Sequence, residues 1–216
     1  MSVYNGMPLG PQSASWRTRT ASSAYLPEAV RSILNQTYKN FEFIIVDDAS
    51  TDGTWKYLNS IKDGRIKLIR NSKNLGLAAS LNKTLKSADG DYIARMDADD
   101  ISLPERFEKQ IKFLLKNPSI DLCGTWVDLI NERGEKIGEK RYPVDDHDIK
   151  KALRWYQPII HPTLLAKAQV FKNLHGYNPN FDMAEDYELM IRGKNQFVMA
   201  NLNQKLLLWR LWAKRR

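Results

Sequence analysis

Apolar positions along this chain follow two rhythms that alternate. Leu26, Ala29, Val30, Ile33 and Leu34 return at helical spacing, with Ser22 or Ser23 ahead of them as candidate caps. The run Phe41-Glu42-Phe43-Ile44-Ile45-Val46 then predicts a strand over residues 41–48. Asp52-Gly53 predicts a turn, and Trp55, Leu58 and Ile61 mark a second helix face. Residues 65–69 predict the next strand, 77–87 a helix opening just after Gly76, and 91–96 a further strand. Ser102 and Pro104 predict the start of a helix whose buried stripe is Phe107, Ile111, Leu114 and Leu115. This β-α-β-α alternation specifies an α/β fold, a mostly parallel sheet flanked by helices.

The second half has a different pattern. Residues 120–131 form a long β-like run, and Glu132-Arg133-Gly134-Glu135 predicts a hairpin turn into 136–142. Helices are predicted over 145–155, near 168–174 and over 184–192, with apolar segments from Phe197 onward.

Two of the predicted strands end in acids, Asp47-Asp48 and Asp97-Ala98-Asp99-Asp100. In an open α/β sheet, ligands sit beyond the carboxyl ends of the strands. Alternate residues of an extended segment point to one side, so Asp97-x-Asp99 aims two hard oxygen donors together. Such a pair suits Mg2+ or Mn2+ carrying a diphosphate. Plainer roles stand beside these: Asp52-Gly53 as a turn, Asp47 and Asp48 as caps, Asp100 as helix-entry chemistry, Glu185 and Asp186 as acids at a helix amino terminus. Arg192 either pairs with a neighbouring acid or faces a diphosphate, and His147 and His175 have no partner pattern.

Composition narrows the picture. With 216 residues, 43% hydrophobic content and six Trp, the chain can bury a sizeable core. Its one cysteine, Cys123, excludes an internal disulfide and fits a reducing compartment. No apolar run reaches the length of a membrane span, and no signal pattern opens the chain. The net charge of +8 is spread as solvated faces, with one dense basic patch over 210–216. Together with Trp209 and Trp212, that patch is a candidate peripheral membrane contact. No recognition motif accompanies the charge, so no nucleic-acid partner is expected. A dinucleotide-binding oxidoreductase is excluded because no Gly-x-Gly-x-x-Gly follows a strand. Sugar nucleotidyltransferases need a Gly-rich, Arg-containing phosphate loop near the start, which is absent.

The segments from Ala29 to Tyr38 and from Val46 to Thr54, with Asn74-Leu75-Gly76-Leu77, Asn82, Met96-Asp97-Ala98-Asp99-Asp100 and Ala184-Glu185-Asp186-Tyr187-Glu188-Leu189, together resemble the family 2 glycosyltransferases. The resemblance runs from Tyr25 to about Leu208 with the motifs in order. It implies a GT-A-like nucleotide-diphospho-sugar transferase fold and inverting, metal-dependent transfer of a hexosyl group. The sugar donor is expected to be a nucleotide-diphosphate sugar, a UDP-sugar, and the acceptor a glycan or lipid-linked glycan assembled in the cytoplasm or at the inner membrane face. By the same resemblance Asp186 would be the catalytic base with Glu185 beside it, and Asp99 would bind the metal. Asp48 would meet the nucleobase, Asp97 the ribose and diphosphate, while Tyr4, Asn82 and His161 complete the donor side.

The domain is expected over 25–216, with a donor half at about 25–118 and an acceptor half at about 119–216. Residues 1–24 depart from the family pattern. Ser2-Val3-Tyr4-Asn5-Gly6 resembles the end of the family's first strand motif, but Met7 to Ala24 is rich in Ser, Pro, Arg and Thr without apolar periodicity. The segment is expected to be atypical and poorly ordered, leaving the sheet without its first strand. An inactive, truncated relative that keeps the fold is therefore the alternative expectation.

Overall fold

A computed structural model describes residues 12–17 by their backbone and residues 24–181 and 183–212 in full. The donor-side half runs β1 (Gln12–Arg17), α1 (Leu26–Leu34), β2 (Phe41–Asp47), α2 (Thr54–Ser60), β3 (Ile66–Arg70), α3 (Leu77–Lys86), β4 (Tyr92–Arg95), β5 (Ile101–Ser102) and α4 (Arg106–Lys116). The second half runs β6 (Leu122–Ile130), β7 (Lys136–Lys140), α5 (Asp146–Ala152), a 3-10 turn (His161–Thr163), β8 (Leu165–Lys167), α6 (Ala168–Asn173), α7 (Glu185–Gly193) and β9 (Met199–Arg210).

Among the described residues nine strands form one sheet, ordered β3-β2-β1-β4-β8-β6-β9-β5, with β7 on the far part of β6. β1, β2, β3 and β4 are mutually parallel, whereas β8 runs antiparallel to both β4 and β6. Chain order reverses direction across β1, since β2 lies on one side of it and β4 on the other. The acids that end β2 and follow β4 therefore flank a topological switch point, where α/β sheets bind ligands.

The apolar run of β2 is buried on both faces because helices cover both sides of the sheet. One core cluster joins Leu26, Val30 and Ile33 of α1 to Phe43 and Ile45 of β2 and to Phe107, Ile111 and Leu114 of α4. A second joins Leu81 of α3 to Ile149, Val170, Phe171, Leu189 and Met190 beneath the other half.

Several expectations need correction. The slot of the first strand is filled: β1 pairs residue for residue with β2 from Gln12↔Phe41 to Arg17↔Val46, and with β4 at Ser13↔Ile93. Parallel pairing needs only backbone groups, so the polar sequence did not prevent it. Tyr25, not Ser22 or Ser23, is the N-cap of α1, and those serines lie outside the described residues. Ser102 belongs to β5, and its Oγ accepts a hydrogen bond from Gln36 Nε2 at 3.1 Å rather than capping α4. Leu115 is 48% exposed, one position off the buried stripe.

Candidate active site

The tip of β2 turns sharply because Asp47 Oδ1 accepts from the Ser50 backbone N–H at 3.1 Å and Arg70 pairs with its other oxygen at 3.2 Å. Asp48 is buried and committed to architecture. Its carboxylate accepts from Asn71 Nδ2 and the Leu75 N–H, both at 2.8 Å, and from the Gly76 N–H at 3.1 Å. Gly76 has φ +85°, a conformation glycine tolerates freely, and this lets its N–H turn to Asp48 as α3 begins. Beside these residues Ala49, Ser50, Thr51, Arg70, Asn71 and Ser72 line a groove of about 590 Å³.

Beyond β4 the chain enters the acidic loop. One carboxylate oxygen from each of Asp97, Asp99 and Asp100 lies within 4.8 Å of the others. The buried Arg95 grips both oxygens of Asp97, at 2.8 and 2.7 Å. Burial alone would lower the Arg95 pKa, yet the Asp97 carboxylate, helped by Tyr177 and Asp186, raises it. Asp100 is buried, and its pKa is pushed well above the usual carboxylate range, first by desolvation and then by Asp97 and Asp99. Its Oδ1 accepts from the Arg210 N–H at 2.9 Å, while Oδ2 has no hydrogen-bond partner among the described residues.

On the facing side α7 begins with Glu185 and Asp186. His161 Nδ1 lies 3.7 Å from Glu185 Oε1 and 4.0 Å from Asp186 Oδ2, and its Nε2 is 2.9 Å from the Tyr177 hydroxyl. Burial, with Arg95 nearby, holds His161 well below its ordinary pKa, so the ring is neutral at pH 7. Burial raises the Glu185 pKa, and its Oε2 is likewise without a partner among the described residues. Asn82 does not reach these acids. It clamps the Tyr177 backbone, accepting from its N–H and donating to its carbonyl, both at 2.8 Å. Gly176 makes this approach possible, because a Cβ there would come within 2.4 Å of Asn82 Oδ1. Arg192 pairs with Glu188 at 2.7 Å, the first of its two expected roles.

β9 closes the acidic loop from above. Arg210 is fully buried, and the Trp212 indole N–H donates to Asp99 Oδ2 at 2.8 Å. Of the expected basic patch, Arg210 and Trp212 pack against the acidic loop and Trp209 lies under Lys140, while residues 213–216 lie outside the described residues, as does Tyr4. No helix among the described residues is long and apolar enough to cross a membrane.

The family model for glycosyl transferase family 2 matches residues 19–178. The chain belongs to that family. A glycosyltransferase of Haemophilus influenzae is 37% identical over 199 residues, covering 87% of this chain and 61% of that protein. The O-antigen biosynthesis glycosyltransferase WbnJ of Escherichia coli is also 37% identical over 199 residues, covering 88% and 76%. The S. aureus TarS 1–349 structure in complex with UDP-GlcNAc superposes with a TM-score of 0.77 at 20% identity, covering 95% of this chain and 59% of that one. The fold is GT-A-like, and the chain spans roughly three fifths of the Haemophilus protein and of the TarS structure.

For a family 2 chain the residues fit a divalent cation. Three carboxylates supply hard oxygen donors, and Asp100, one of the three, has an oxygen without a hydrogen-bond partner among the described residues. Asp97, Asp99 and Asp186 all lie near Arg95 or its partners. The motifs did not mark Arg95, Tyr177, Arg210 or Trp212. For Arg95 a signal existed, since it stands two residues before Asp97 on one side of an extended segment. The others become visible only through tertiary contacts.

Proposed function

We propose that the domain transfers a sugar from a UDP-sugar to an acceptor hydroxyl, with inversion and with Mg2+ or Mn2+ at the acidic loop. The acceptor would be a growing polysaccharide or lipid-linked glycan at the cytoplasmic face of the membrane. The observation that carries this is the convergence of the Asp97–Asp99–Asp100 cluster and the Glu185–Asp186 pair on the buried Arg95. The names of WbnJ and of the UDP-GlcNAc complex of TarS support the substrate class.

A sugar hydroxyl is a weak nucleophile, and Asp186 takes its proton during attack. Glu185 is the more deeply buried of the pair, and burial raises its pKa, whereas Asp186 is the more exposed carboxylate beside it. One base, with a leaving group on the opposite face, gives in-line displacement and inversion; retention in glycoside hydrolysis instead needs two close carboxylates and a covalent intermediate. Asp99, Asp100 and Asp97 would hold the cation, which supplies Lewis-acid stabilisation of the departing diphosphate. The groove from Ala49 to Ser72 is of a size for a nucleoside, and Asp48 sets its wall by fixing Asn71 and Leu75. With β1 in its slot, an inactive relative loses its main motivation.

Calorimetry of UDP with Mn2+ tests the site. Asp99→Ala should weaken Mn2+-dependent UDP binding at least about tenfold, the scale of losses at metal sites. Asp186→Asn should leave UDP binding intact while transfer, screened over a panel of nucleotide sugars, falls about 10²- to 10⁴-fold. Equal UDP affinity in wild type and Asp99→Ala removes the metal assignment, and undiminished turnover in Asp186→Asn removes the base.

A further inference from the structure

Resting on the transferase reading above, we propose that Arg210 and Trp212 are positioning residues of the cation site, holding the Asp99–Asp100 segment so that its carboxylates converge. β9 ends directly across the acidic loop. The Arg210 backbone N–H donates to Asp100 Oδ1 at 2.9 Å, and its Nε donates to the Asp99 carbonyl at 2.8 Å. Its other guanidinium nitrogens reach the Asn131 carbonyl at 2.9 Å, the Glu132 carbonyl at 3.3 Å and Glu28 Oε2 at 2.8 Å. The guanidinium carbon lies 4.2 Å from the centre of the Tyr25 ring. A planar fork used this way joins main chain to main chain with little freedom left, which a flexible ammonium could not reproduce.

Trp212 completes the arrangement. Its ring meets Tyr25 edge-on at 5.1 Å between centroids, and its indole N–H engages Asp99 Oδ2. With one oxygen engaged, the carboxylate cannot rotate freely, so its remaining lone pairs face a set direction. Asp100, whose Oδ2 has no hydrogen-bond partner among the described residues, contributes to the same cluster. Carboxylates held by such outer hydrogen bonds bind metals more tightly, and losing the outer partner costs about 10- to 100-fold in affinity.

The test is a Mn2+ titration followed by electron paramagnetic resonance, with and without UDP, on wild type, Trp212→Phe, Arg210→Lys and Asp99→Asn. Trp212→Phe keeps an aromatic ring for Tyr25 and removes the N–H donor along with part of the indole. It should weaken Mn2+ binding about tenfold or more with an unchanged melting temperature. Arg210→Lys should weaken it as well, and Asp99→Asn sets the floor. Wild-type Mn2+ affinity in Trp212→Phe, alongside lost binding in Asp99→Asn, overturns the positioning role and leaves the transferase reading standing. A loss of affinity matched by an equal loss of thermal stability also overturns it, because that marks general loosening. Absence of Mn2+ uptake by wild type in both series overturns this role and the metal assignment together.

Discussion

His161 is enclosed by Tyr177, Arg95 and the two acids that open α7, and its charge state follows from that enclosure. Its ring nitrogens face Tyr177 on one side and Glu185 with Asp186 on the other. An unfolded histidine takes up a proton near pH 6.5 that the native ring refuses. Below that pH, unfolding binds a proton, so the stability contribution is complete above pH 6.5 and declines as pH falls toward the lowered native value. Relative to His161→Gln, wild type should therefore lose about 1.4 kcal/mol per pH unit between 6.5 and the native value. Urea unfolding of both proteins at pH 7.5 and 5.5 measures this, and a constant difference between them would contradict a neutral buried ring. At the same scale, the acids after β4 were legible as a local motif, but the strand ends at Arg95, and a turn at Ala98–Asp99 rather than strand alternation gathers them. The Trp212 contact spans 113 residues, so no local period announces it.

Elements were legible where an apolar stripe marks them. α7 appears within one residue of its expected bounds, and the expected stripes of α1 and α4 lie within those helices, since burial follows the helical period. β1 was not, because Gln12-Ser13-Ala14-Ser15-Trp16-Arg17 has only Ala14 and Trp16 as apolar residues and no β-branched one. Its place comes from tertiary context: two apolar neighbours offer unpaired ladders on both sides, and context overrides intrinsic strand preference. A central strand cannot spare an N–H to proline. Ser15→Pro, opposite Ile44 and Arg95, should remove a ladder hydrogen bond at a cost of about 1–3 kcal/mol, read as a lowered denaturation midpoint. An unchanged midpoint would place β1 outside the sheet.

At the scale of the whole molecule, Cys123 reports on cooperativity. It sits in β6 without solvent exposure, and burial pushes its thiol up to about 12. A thiol so placed reacts only when the domain opens, because the thiolate is the nucleophile. Ellman's reagent should therefore label it negligibly in native buffer, with labelling in urea rising alongside loss of circular dichroism. Rapid native labelling would mean that the core opens locally around β6. The acidic loop depends on equally distant contacts: Arg210 reaches Glu28 across 182 residues and Trp212 reaches Asp99 across 113. At ribosomal speeds of about 5–20 residues per second, Asp99 waits roughly 5 to 20 seconds for its indole partner. The contact that fixes Asp99 therefore cannot form until translation has passed residue 212.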